Sequence, residues 1–315
     1  MASRRAPIAV AALSVLLGVG LLGTAVYAKA RPRSNTSAQA AGNGQASVKT
    51  SPSPTPPPPP PPPTLKETKQ VSVSMAKGGF FAWALMNRKT GDITGSDNDE
   101  AAKNTTESMV KAWLVSDYLR RQAEAGKTPT QTALNYASTA IRDSNDNSAQ
   151  WLYKQNGGNA SIQRLIKTCR LADKPVIKSG WWSMTQITAA DAVRMGDCIG
   201  DGTAAGPKWT AYVLNEMEHV RGTTAAKDQH AKTGGGHWGI IDGLPAVLQQ
   251  GTSIKNGWTL IFADGLWHIN CLAIHSDWVL AVQMRFPGKL GLAYGAGVCK
   301  SVAQQLVYQP TTAEG

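Results

Sequence analysis

The sequence predicts an α+β fold, with one antiparallel sheet built from both chain ends and a compact helical subdomain between them. Short apolar segments bounded by turn residues supply the predicted strands, at residues 80–86, 93–95, 252–262, 267–274 and 278–286. Amphipathic segments separated by glycines supply the predicted helices, at 107–125, 130–141, 144–156, 159–169, 188–200 and 207–219. Elements in this order fit a sheet that receives strands from both ends of the domain.

Local chemistry sets the boundaries of these elements. Residues 87–92 form a turn because Asn, Gly and Asp tolerate the backbone conformations that turns require. Gly126 and Gly157-Gly158 end helices. Residues 263–265, Ala-Asp-Gly, suit a hairpin turn between two strands. An amphipathic segment at 292–307 predicts a closing helix that packs on the sheet.

Residues 1–30 predict a signal peptide or a membrane anchor. Residues 8–28 are apolar and uncharged, which suits either a bilayer-spanning helix or a secretory signal. Ala28-Lys29-Ala30 offers a small-x-small cleavage site. No cysteine lies nearby, so a bacterial lipid anchor is not expected. Either outcome places the remaining chain outside the cytoplasm.

Residues 31–70 predict a disordered, proline-rich linker. Prolines run unbroken from Pro56 to Pro63, and such a run forms a stiff polyproline II rod. A rod is most useful as a spacer above a membrane, which favours an uncleaved anchor at 8–28. Recognition by a proline-binding module is the alternative. Residues 71–315 are enough for one well-buried domain, which we expect to be monomeric.

The net charge of +11 belongs mainly to the N-terminal region. Residues 1–70 hold eight Lys/Arg and one acidic residue, so the domain itself contributes only +4. We therefore expect no nucleic-acid binding. The cysteines lack Cys-x-x-Cys spacing and no His-x-x-x-His occurs, so we expect neither a metal nor a cofactor.

The four cysteines all lie in the second half of the chain, at Cys169, Cys198, Cys271 and Cys299. An even number in an exported chain favours disulfides. We predict the pairs Cys169–Cys198 and Cys271–Cys299, one of three possible pairings. The first would join two successive helices, and the second would join the penultimate strand to the closing helix.

The segment 105–115 places Ser108 and Lys111 three residues apart at the start of an amphipathic helix. Residues with this spacing share one helix face, so their side chains can meet. A serine hydroxyl is a poor nucleophile, and an amine whose pKa is lowered by burial can take its proton. Ser108 is therefore the candidate nucleophile, and Lys111 is its candidate base.

Two further polar elements follow in chain order. Ser144-Asn145-Asp146 begins a predicted helix, and an ordinary N-cap is the alternative interpretation of these residues. The third element has two candidates, Lys232-Thr233-Gly234 and Lys255-Asn256-Gly257, in each of which glycine follows lysine by two positions. We favour Lys255, because it lies in a strand pattern that continues into the terminal hairpin, whereas Lys232 lies in a glycine-rich loop.

Ser-x-x-Lys, a Ser-x-Asn-like element and Lys-x-Gly, in this order, resemble the serine β-lactamase and penicillin-binding-protein superfamily. The sequence is similar in particular to exported actinobacterial β-lactamase-like serine hydrolases. The segments that carry this likeness are Trp238-Gly239-Ile240, Leu244-Pro245 and Lys255-Asn256-Gly257-Trp258. The resemblance covers about residues 75–308 and implies a β-lactamase/transpeptidase-like fold.

The resemblance also implies a role for each element. Ser108 would be acylated by a β-lactam or by the D-alanyl end of a peptidoglycan stem peptide, with Lys111 as base. Ser144 would pass a proton to the leaving nitrogen, and Lys255 would bind the substrate carboxylate. Backbone N–H groups of Ser108 and of the strand near Trp258 would form the oxyanion hole. The candidate substrate-binding residues are Asp146, Lys255, Gly257 and Trp258.

Two departures from the family pattern concern turnover. Asp146 stands where the family has asparagine, and an ionised carboxylate cannot donate a hydrogen bond to a substrate. A shift of one residue would offer Asn145 or Asn147 instead. The Glu-x-x-Leu-Asn segment that activates the deacylating water in class A β-lactamases is absent, and Asp173 is the only acid in the corresponding region.

The leading prediction is an exported serine acyl-enzyme hydrolase that acts on β-lactams or D-Ala–D-Ala wall peptides through Ser108. The alternative is a catalytically impaired, membrane-tethered module of the same fold that binds cell-wall peptides. Asp146 and the missing glutamate favour the alternative, whereas the intact serines and lysines favour the enzyme. The sequence does not separate a lactamase from a carboxypeptidase or a slow binder.

Overall fold

The structure is a computed structural model that describes residues 60–66, 70–229 and 234–310. The predicted signal or anchor segment lies outside these ranges, as does most of the predicted linker. The described residues belong to one structural unit, residues 57–315. None of their helices combines the length and the apolar composition that crossing a membrane requires.

Strands form at both ends of this unit and at two places in its middle. Their bounds are β1 (Thr64–Leu65), β2 (Phe80–Asn87), β3 (Ile93–Gly95), β4 (Lys103–Thr105), β5 (Gln186–Thr188), β6 (Ser253–Ile254), β7 (Gly257–Ile261), β8 (Leu266–Ile274), β9 (Trp278–Pro287) and β10 (Val307–Tyr308).

The helices lie mainly between β4 and β6. Their bounds are α1 (Lys111–Glu124), α2 (Gln131–Arg142), α3 (Asp146–Gln155), α4 (Asn159–Thr168), α5 (Ala189–Gly200), α6 (Thr210–Glu218), α7 (Ala226–Gln229), α8 (Ile240–Gly243), α9 (Ala246–Gln249) and α10 (Gly291–Leu306). A 3₁₀ turn, Glu107–Val110, leads directly into α1.

The central sheet confirms the predicted α+β architecture. Its strand order is β3-β2-β9-β8-β6, with β7 also paired to β8, and all of these pairings are antiparallel. β2 and β3 come from the start of the domain, and β6 to β9 come from its end. The central strands β8 and β9 are buried along most of their length, because helices cover both faces of the sheet.

Helices pack on the two faces through close backbone approaches. α5 lies on β2, β8 and β9, and a Cβ at Gly196 would come within 2.6 Å of Val279. α10 lies on β8 and β9 together with α8, and a Cβ at Gly295 would come within 2.9 Å of Phe286. α1 forms the centre of the helical subdomain, in contact with α2, α3, α4, α5 and α6.

The predicted strand at 252–262 is wrong at its centre. Lys255 and Asn256 separate β6 from β7. The Asn256 amide donates hydrogen bonds to the carbonyl oxygens of Gly236, at 2.9 Å, and Trp238, at 2.7 Å. These partners come from a preceding loop, so a strand pattern read along residues 252–262 could not reveal the break.

The predicted linker, residues 31–70, includes chain that already belongs to the domain. β1 pairs antiparallel with β10, and Leu65 is buried in the core. The carbonyl oxygen of Pro61 accepts a hydrogen bond from Gln309 Nε2 at 3.2 Å. The described end of the linker therefore lies against the C-terminal strand, a contact that proline-rich composition does not encode.

Both predicted disulfides are confirmed. Cys169, just after α4, pairs with Cys198 in α5, with a Cα–Cα distance of 5.3 Å. Cys271 in β8 pairs with Cys299 in α10, with a Cα–Cα distance of 6.4 Å. The first bridge joins two helices of the helical subdomain, and the second fixes the closing helix to the sheet.

Removal of the sheet-to-helix bridge should destabilise the domain. In the double variant Cys271→Ala/Cys299→Ala, we expect the free energy of unfolding to fall by about 3–4 kcal/mol, because the bridge closes a loop with a sequence separation of 28. Urea unfolding measures this loss. The matched variant Cys169→Ala/Cys198→Ala, with a separation of 29, should lose a similar amount. A loss below about 1 kcal/mol in both variants would contradict the chain-entropy argument.

Candidate active site

Ser108 stands at a junction between a strand and a helix, and a buried amide network fixes this junction to the sheet. Asn104 Nδ2 donates to the carbonyl oxygens of Ile269, at 3.0 Å, and Met284, at 3.2 Å. Asn270 Nδ2 donates to the carbonyl oxygen of Thr105 at 2.7 Å. These bonds hold β4 against the centre of the sheet, so the 3₁₀ turn that carries Ser108 starts from a rigid base.

Two residues of the site adopt left-handed backbone conformations although neither is glycine. Glu107, immediately before Ser108, has φ +48°, and Ser144 has φ +54°. A side chain in this region costs free energy, and such residues cluster at functional sites because the surrounding structure must hold them there. The conformation turns Ser108 out of the strand and into the cleft, where its side chain is half-buried.

Lys111 is fully buried, and its ammonium bonds to the turn between α2 and α3. Lys111 Nζ donates to the carbonyl oxygen of Ser144 and to Asp146 Oδ1, the latter at 2.6 Å. It also lies 3.4 Å from Ser144 Oγ and 5.2 Å from the ring centre of Trp182. Within the described residues, no hydrogen bond joins Lys111 to Ser108. Burial lowers the pKa of Lys111, and the Asp146 carboxylate opposes that shift.

Ser144, Asn145 and Asp146 form the turn between α2 and α3. Asn145 is the N-cap of α3, and its side-chain oxygen accepts a hydrogen bond from the Ser148 N–H at 2.9 Å. The N-cap interpretation is therefore correct for Asn145. The helix start then leaves the exposed Asp146 side chain beside Lys111, so a carboxylate rather than an amide meets the buried ammonium.

Lys255 is the second fully buried ammonium of the site. Lys255 Nζ donates to Ser144 Oγ at 2.9 Å and to the Asn256 carbonyl oxygen at 3.3 Å, and lies 5.9 Å from the ring centre of Trp258. Burial, followed by the charge of Lys111, lowers the pKa of Lys255 well below its ordinary value. The Ser144 hydroxyl therefore lies between Lys111 and Lys255, and the positive charge of either ammonium disfavours protonation of the other.

Gly257 brings β7 against the backbone of the nucleophile. A Cβ at this position would lie 2.5 Å from the Thr106 carbonyl oxygen, 2.6 Å from the Met109 nitrogen and 2.9 Å from the Ser108 nitrogen. All three atoms belong to the backbone and cannot move aside. Glycine at 257 is therefore what allows the start of β7 to lie beside the Ser108 N–H.

These elements surround one cleft of ≈ 580 Å³. Three tryptophans line it, and Trp181, which is 61% exposed, stands at its rim. The Trp182 Nε1–H donates to Gln150 Oε1 at 3.0 Å. The residues that line the cleft and also belong to the predicted site are Ser108, Ser144, Asp146 and Trp258.

The other residues singled out from the sequence lie as follows. Lys232 is outside the described residues, and Gly234 beside it packs against the backbone of Asp143. Asp173 does not line the cleft. Its carboxylate accepts hydrogen bonds from Thr188 Oγ1, at 2.6 Å, and from Arg194, at 3.3 Å.

Glu107 and Thr259 also line the cleft, although neither was predicted from the sequence as a site residue. Glu107 is buried, and its Oε2 accepts a hydrogen bond from Thr259 Oγ1 at 2.8 Å. An acidic residue directly before the candidate nucleophile was the available signal. It was uninformative alone, because glutamate in the first turn of a helix is commonplace.

The comparisons with solved structures identify the fold. PBP-A matches with a TM-score of 0.54 over 74% of this chain and 90% of that chain, at 14% identity. A β-lactamase from Desulfarculus baarsii matches with a TM-score of 0.51 over 72% and 92%, at 15% identity. An ancestral class A β-lactamase matches with a TM-score of 0.52 over 72% and 93%, at 14% identity. The chain therefore has the β-lactamase/transpeptidase-like fold that the sequence predicted.

The comparison with curated proteins gives relatives that match part of the chain. The chain is 25% identical over 195 residues to proteins named "Putative lipoprotein LppW" from Mycobacterium bovis and Mycobacterium tuberculosis. The match covers 62% of this chain and 59% of the length of those relatives. No protein-family model matches the chain.

Substitution of Gly257 should disrupt the backbone contact beside Ser108. In Gly257→Ala, we expect a loss of stability and a distorted Ser108 N–H, because the new Cβ meets three backbone atoms within 2.9 Å. Urea unfolding and amide NMR shifts of Ser108 measure the two effects. Gly297→Ala, in α10 with open space around its Cα, is the control and should be neutral or slightly stabilising. Equal behaviour of the two variants would contradict the close approach.

The pH dependence of stability should report the buried Lys255. Its pKa is lower in the folded state than in the unfolded chain, so the unfolded chain binds more protons and stability rises with pH up to about 10. In Lys255→Met, we expect the slope of unfolding free energy against pH to fall by up to about 1.4 kcal/mol per unit. Urea unfolding at several pH values tests this, with the exposed Lys289→Met as control. An unchanged slope in Lys255→Met would contradict the argument that burial makes protonation of Lys255 unfavourable in the folded state.

Proposed function

We propose that this protein is an exported serine acyl-enzyme hydrolase that acts on β-lactams or D-Ala–D-Ala wall peptides through Ser108. The observation that carries the proposal is the position of Ser144 Oγ between two buried ammonium groups, 2.9 Å from Lys255 Nζ and 3.4 Å from Lys111 Nζ. Together with Ser108, they supply the nucleophile, the base and the proton carrier that acyl transfer requires. The β-lactamase/transpeptidase-like fold supports this assignment.

In this mechanism, Ser108 Oγ attacks the substrate carbonyl carbon while a neutral lysine amine accepts the hydroxyl proton. The N–H groups of Ser108 and of β7 near Trp258 hold the oxyanion, and preorganised donors of this kind contribute about 3–4 kcal/mol each. The C–N bond then breaks, and Ser144 passes a proton to the leaving nitrogen. Water hydrolyses the resulting ester and releases Ser108. Lys255, which is buried and bonds to Ser144 Oγ at the cleft, is assigned to attract the substrate carboxylate in its charged form.

Asp146 makes Lys111 a poor base in the resting site. A carboxylate at 2.6 Å stabilises the charged ammonium, whereas proton acceptance requires the neutral amine. Asp173, the acid that the sequence offered for deacylation, is bound to Thr188 and Arg194 outside the cleft. We therefore propose slow acylation and slower turnover. The ion pair also supports the second candidate function, a binding module for wall peptides that retains the fold without turnover.

Export and attachment to a membrane complete the proposal. The two disulfides fit an oxidising compartment. The relatives from Mycobacterium carry the name "Putative lipoprotein LppW", and the word lipoprotein is consistent with export. For this chain, we propose that residues 8–28 either anchor the protein or are cleaved on secretion. The acyl-enzyme of PBP-A with penicillin G, seen in a variant of that protein, is a precedent for the proposed chemistry on this fold.

Acylation should require Ser108 and should give one covalent adduct per protein molecule. We expect intact-mass spectrometry after treatment with penicillin G to show one covalent adduct in the wild type and none in Ser108→Ala. Peptide mapping should place the adduct on Ser108. Ser183→Ala, at another serine that lines the cleft, is the matched control and should still be acylated. An adduct that survives in Ser108→Ala would exclude Ser108 as the nucleophile.

Replacement of Asp146 by asparagine should activate the site. In Asp146→Asn, the pKa of Lys111 should fall, because the carboxylate that raises it is gone. We expect acylation by a fluorescent penicillin at neutral pH to accelerate by about tenfold, the factor that one pKa unit gives. Asp277→Asn, outside the cleft, is the control. Unchanged or slower acylation in Asp146→Asn would show that the Asp146 carboxylate does not limit proton acceptance by Lys111.

A further inference from the structure

Behind Ser108, a chain of hydrogen bonds runs from the cleft to the surface of the sheet. Thr105 Oγ1 lies 2.7 Å from Glu107 Oε1 and 2.8 Å from His268 Nδ1. His268 Nε2 lies 2.8 Å from Asp264 Oδ2, and the Asp264 side chain is 40% exposed in the hairpin between β7 and β8. At the other end, Thr259 Oγ1 lies 2.8 Å from Glu107 Oε2 and 2.7 Å from the Trp258 carbonyl oxygen, and its single hydrogen goes to one of them. None of these groups takes part in the proposed acyl transfer.

With Asp264 as a carboxylate, counting donors and acceptors from Glu107 to Asp264 leaves two arrangements. Although burial opposes the shift, the hydrogen bond from His268 lowers the pKa of Asp264. The Thr105 hydroxyl has one hydrogen and can donate to Glu107 or to His268, not to both. When it donates to Glu107, His268 Nδ1 must carry a hydrogen to donate to Thr105. His268 Nε2 must also carry one, because the Asp264 carboxylate only accepts. In this arrangement the His268 ring is an imidazolium and Glu107 is a carboxylate.

The second arrangement holds the same number of protons. The Thr105 hydroxyl donates to His268 Nδ1, so the ring is neutral, with its hydrogen on Nε2 facing Asp264. Thr105 Oγ1 can then only accept from Glu107, so the Glu107 carboxyl carries the proton. The two arrangements interconvert when His268 Nδ1 gives its proton to Thr105 as Thr105 gives its own to Glu107.

We propose that Glu107 and His268 share one proton through the Thr105 hydroxyl, and that Ser108 is acylated fastest when this proton lies on Glu107. The inference rests on the proposed function, because it assigns to Glu107 control over the acylation of Ser108. Glu107 is thus a positioning residue that sets the charge next to the oxyanion hole, and it does not touch the reacting atoms.

The charge of Glu107 matters because its backbone continues directly into the Ser108 N–H. The oxyanion forms beside that N–H, and a carboxylate close by would oppose the developing negative charge. A neutral carboxyl removes this repulsion. Glu107 has a left-handed backbone, at φ +48°, and its carboxyl contacts Thr105 and Thr259.

The surroundings of Glu107 contain charges of both signs. Burial raises the pKa of Glu107, the hydrogen bonds from Thr105 and Thr259 lower it, and the charge of His268 lowers it further. Asp146, at the start of α3, raises it. Lys111 on α1 also faces Glu107, whose carboxylate favours the charged lysine. Beyond His268, Asp264 lies near Arg285 of β9.

Nitrogen-15 NMR of the His268 ring tests the shared proton without any substrate. In the wild type, we expect the ring nitrogens and the Glu107 carboxyl carbon to titrate together, with one midpoint. In Glu107→Gln, residue 107 has no carboxyl that could exchange a proton with the ring, so the ring-nitrogen shifts should follow pH differently from those of the wild type. His275, stacked on Trp278, is the internal control and should not change. An unchanged His268 midpoint in Glu107→Gln overturns the proposal.

The hydroxyl of Thr105 provides the matched pair of variants. Thr105→Val keeps the shape of the side chain and removes the relay, so the titrations of His268 and Glu107 should separate. Thr105→Ser keeps the hydroxyl and should preserve the common midpoint. If the valine variant titrates like the serine variant, the proton does not pass through residue 105 and the proposal fails.

Acylation by a fluorescent penicillin over a pH series tests the functional part. As pH rises through the midpoint found by NMR, the shared proton leaves and Glu107 becomes an anion. The ratio of the Glu107→Gln rate to the wild-type rate should then rise by about tenfold over one to two pH units. A constant ratio refutes control of acylation by Glu107. If the wild type forms no adduct at any pH, the proposed function fails, and the NMR titrations still decide whether the proton is shared.

Discussion

The structure of the site depends on the burial of two lysines on either side of one hydroxyl. Lys111 and Lys255 are both withdrawn from solvent, and Ser144 Oγ lies within hydrogen-bonding distance of each. Two buried ammonium groups this close cannot both keep a proton without compensation. The positive charge of Lys111 is compensated, because its ammonium donates hydrogen bonds to the Asp146 carboxylate and to the Ser144 carbonyl oxygen. Lys255 has only neutral partners, so it is the amine whose charge the site opposes more strongly.

The scaffold keeps these groups in place through backbone contacts rather than through side-chain packing alone. Gly257 lets β7 lie against the backbone of the 3₁₀ turn, and the amides of Asn104 and Asn270 tie β4 to the centre of the sheet. The left-handed conformations of Glu107 and Ser144 are sustained by this rigid frame. The chain therefore brings Ser108 and Ser144 to one cleft, with the buried Lys111 and Lys255 on either side of the Ser144 hydroxyl.

Much of the fold could be predicted because its signals are local. Helical periodicity located α1 to α6 and α10 to within a few residues, and alternating or continuous apolar runs located the long strands of the sheet. The disulfides followed from where the cysteines lie within those elements. The errors occurred where a distant segment decides the local conformation. Asn256 leaves the strand for the carbonyl oxygens of Gly236 and Trp238, and β1 forms only because β10 lies beside it.

The sequence by itself determined which residues are candidates for the site, because residue type and spacing mark Ser108 with Lys111, then Ser144, then Lys255 in chain order. It could not determine which atoms meet. That Asp146 rather than Ser108 holds the Lys111 ammonium depends on how the start of α3 is placed against α1. That Glu107 bonds to Thr105 and Thr259, and through Thr105 reaches His268, depends on the register of β7 and β8 beside β4. These contacts join residues far apart in the chain, and protonation depends on burial and on neighbouring charge, which only the tertiary structure supplies.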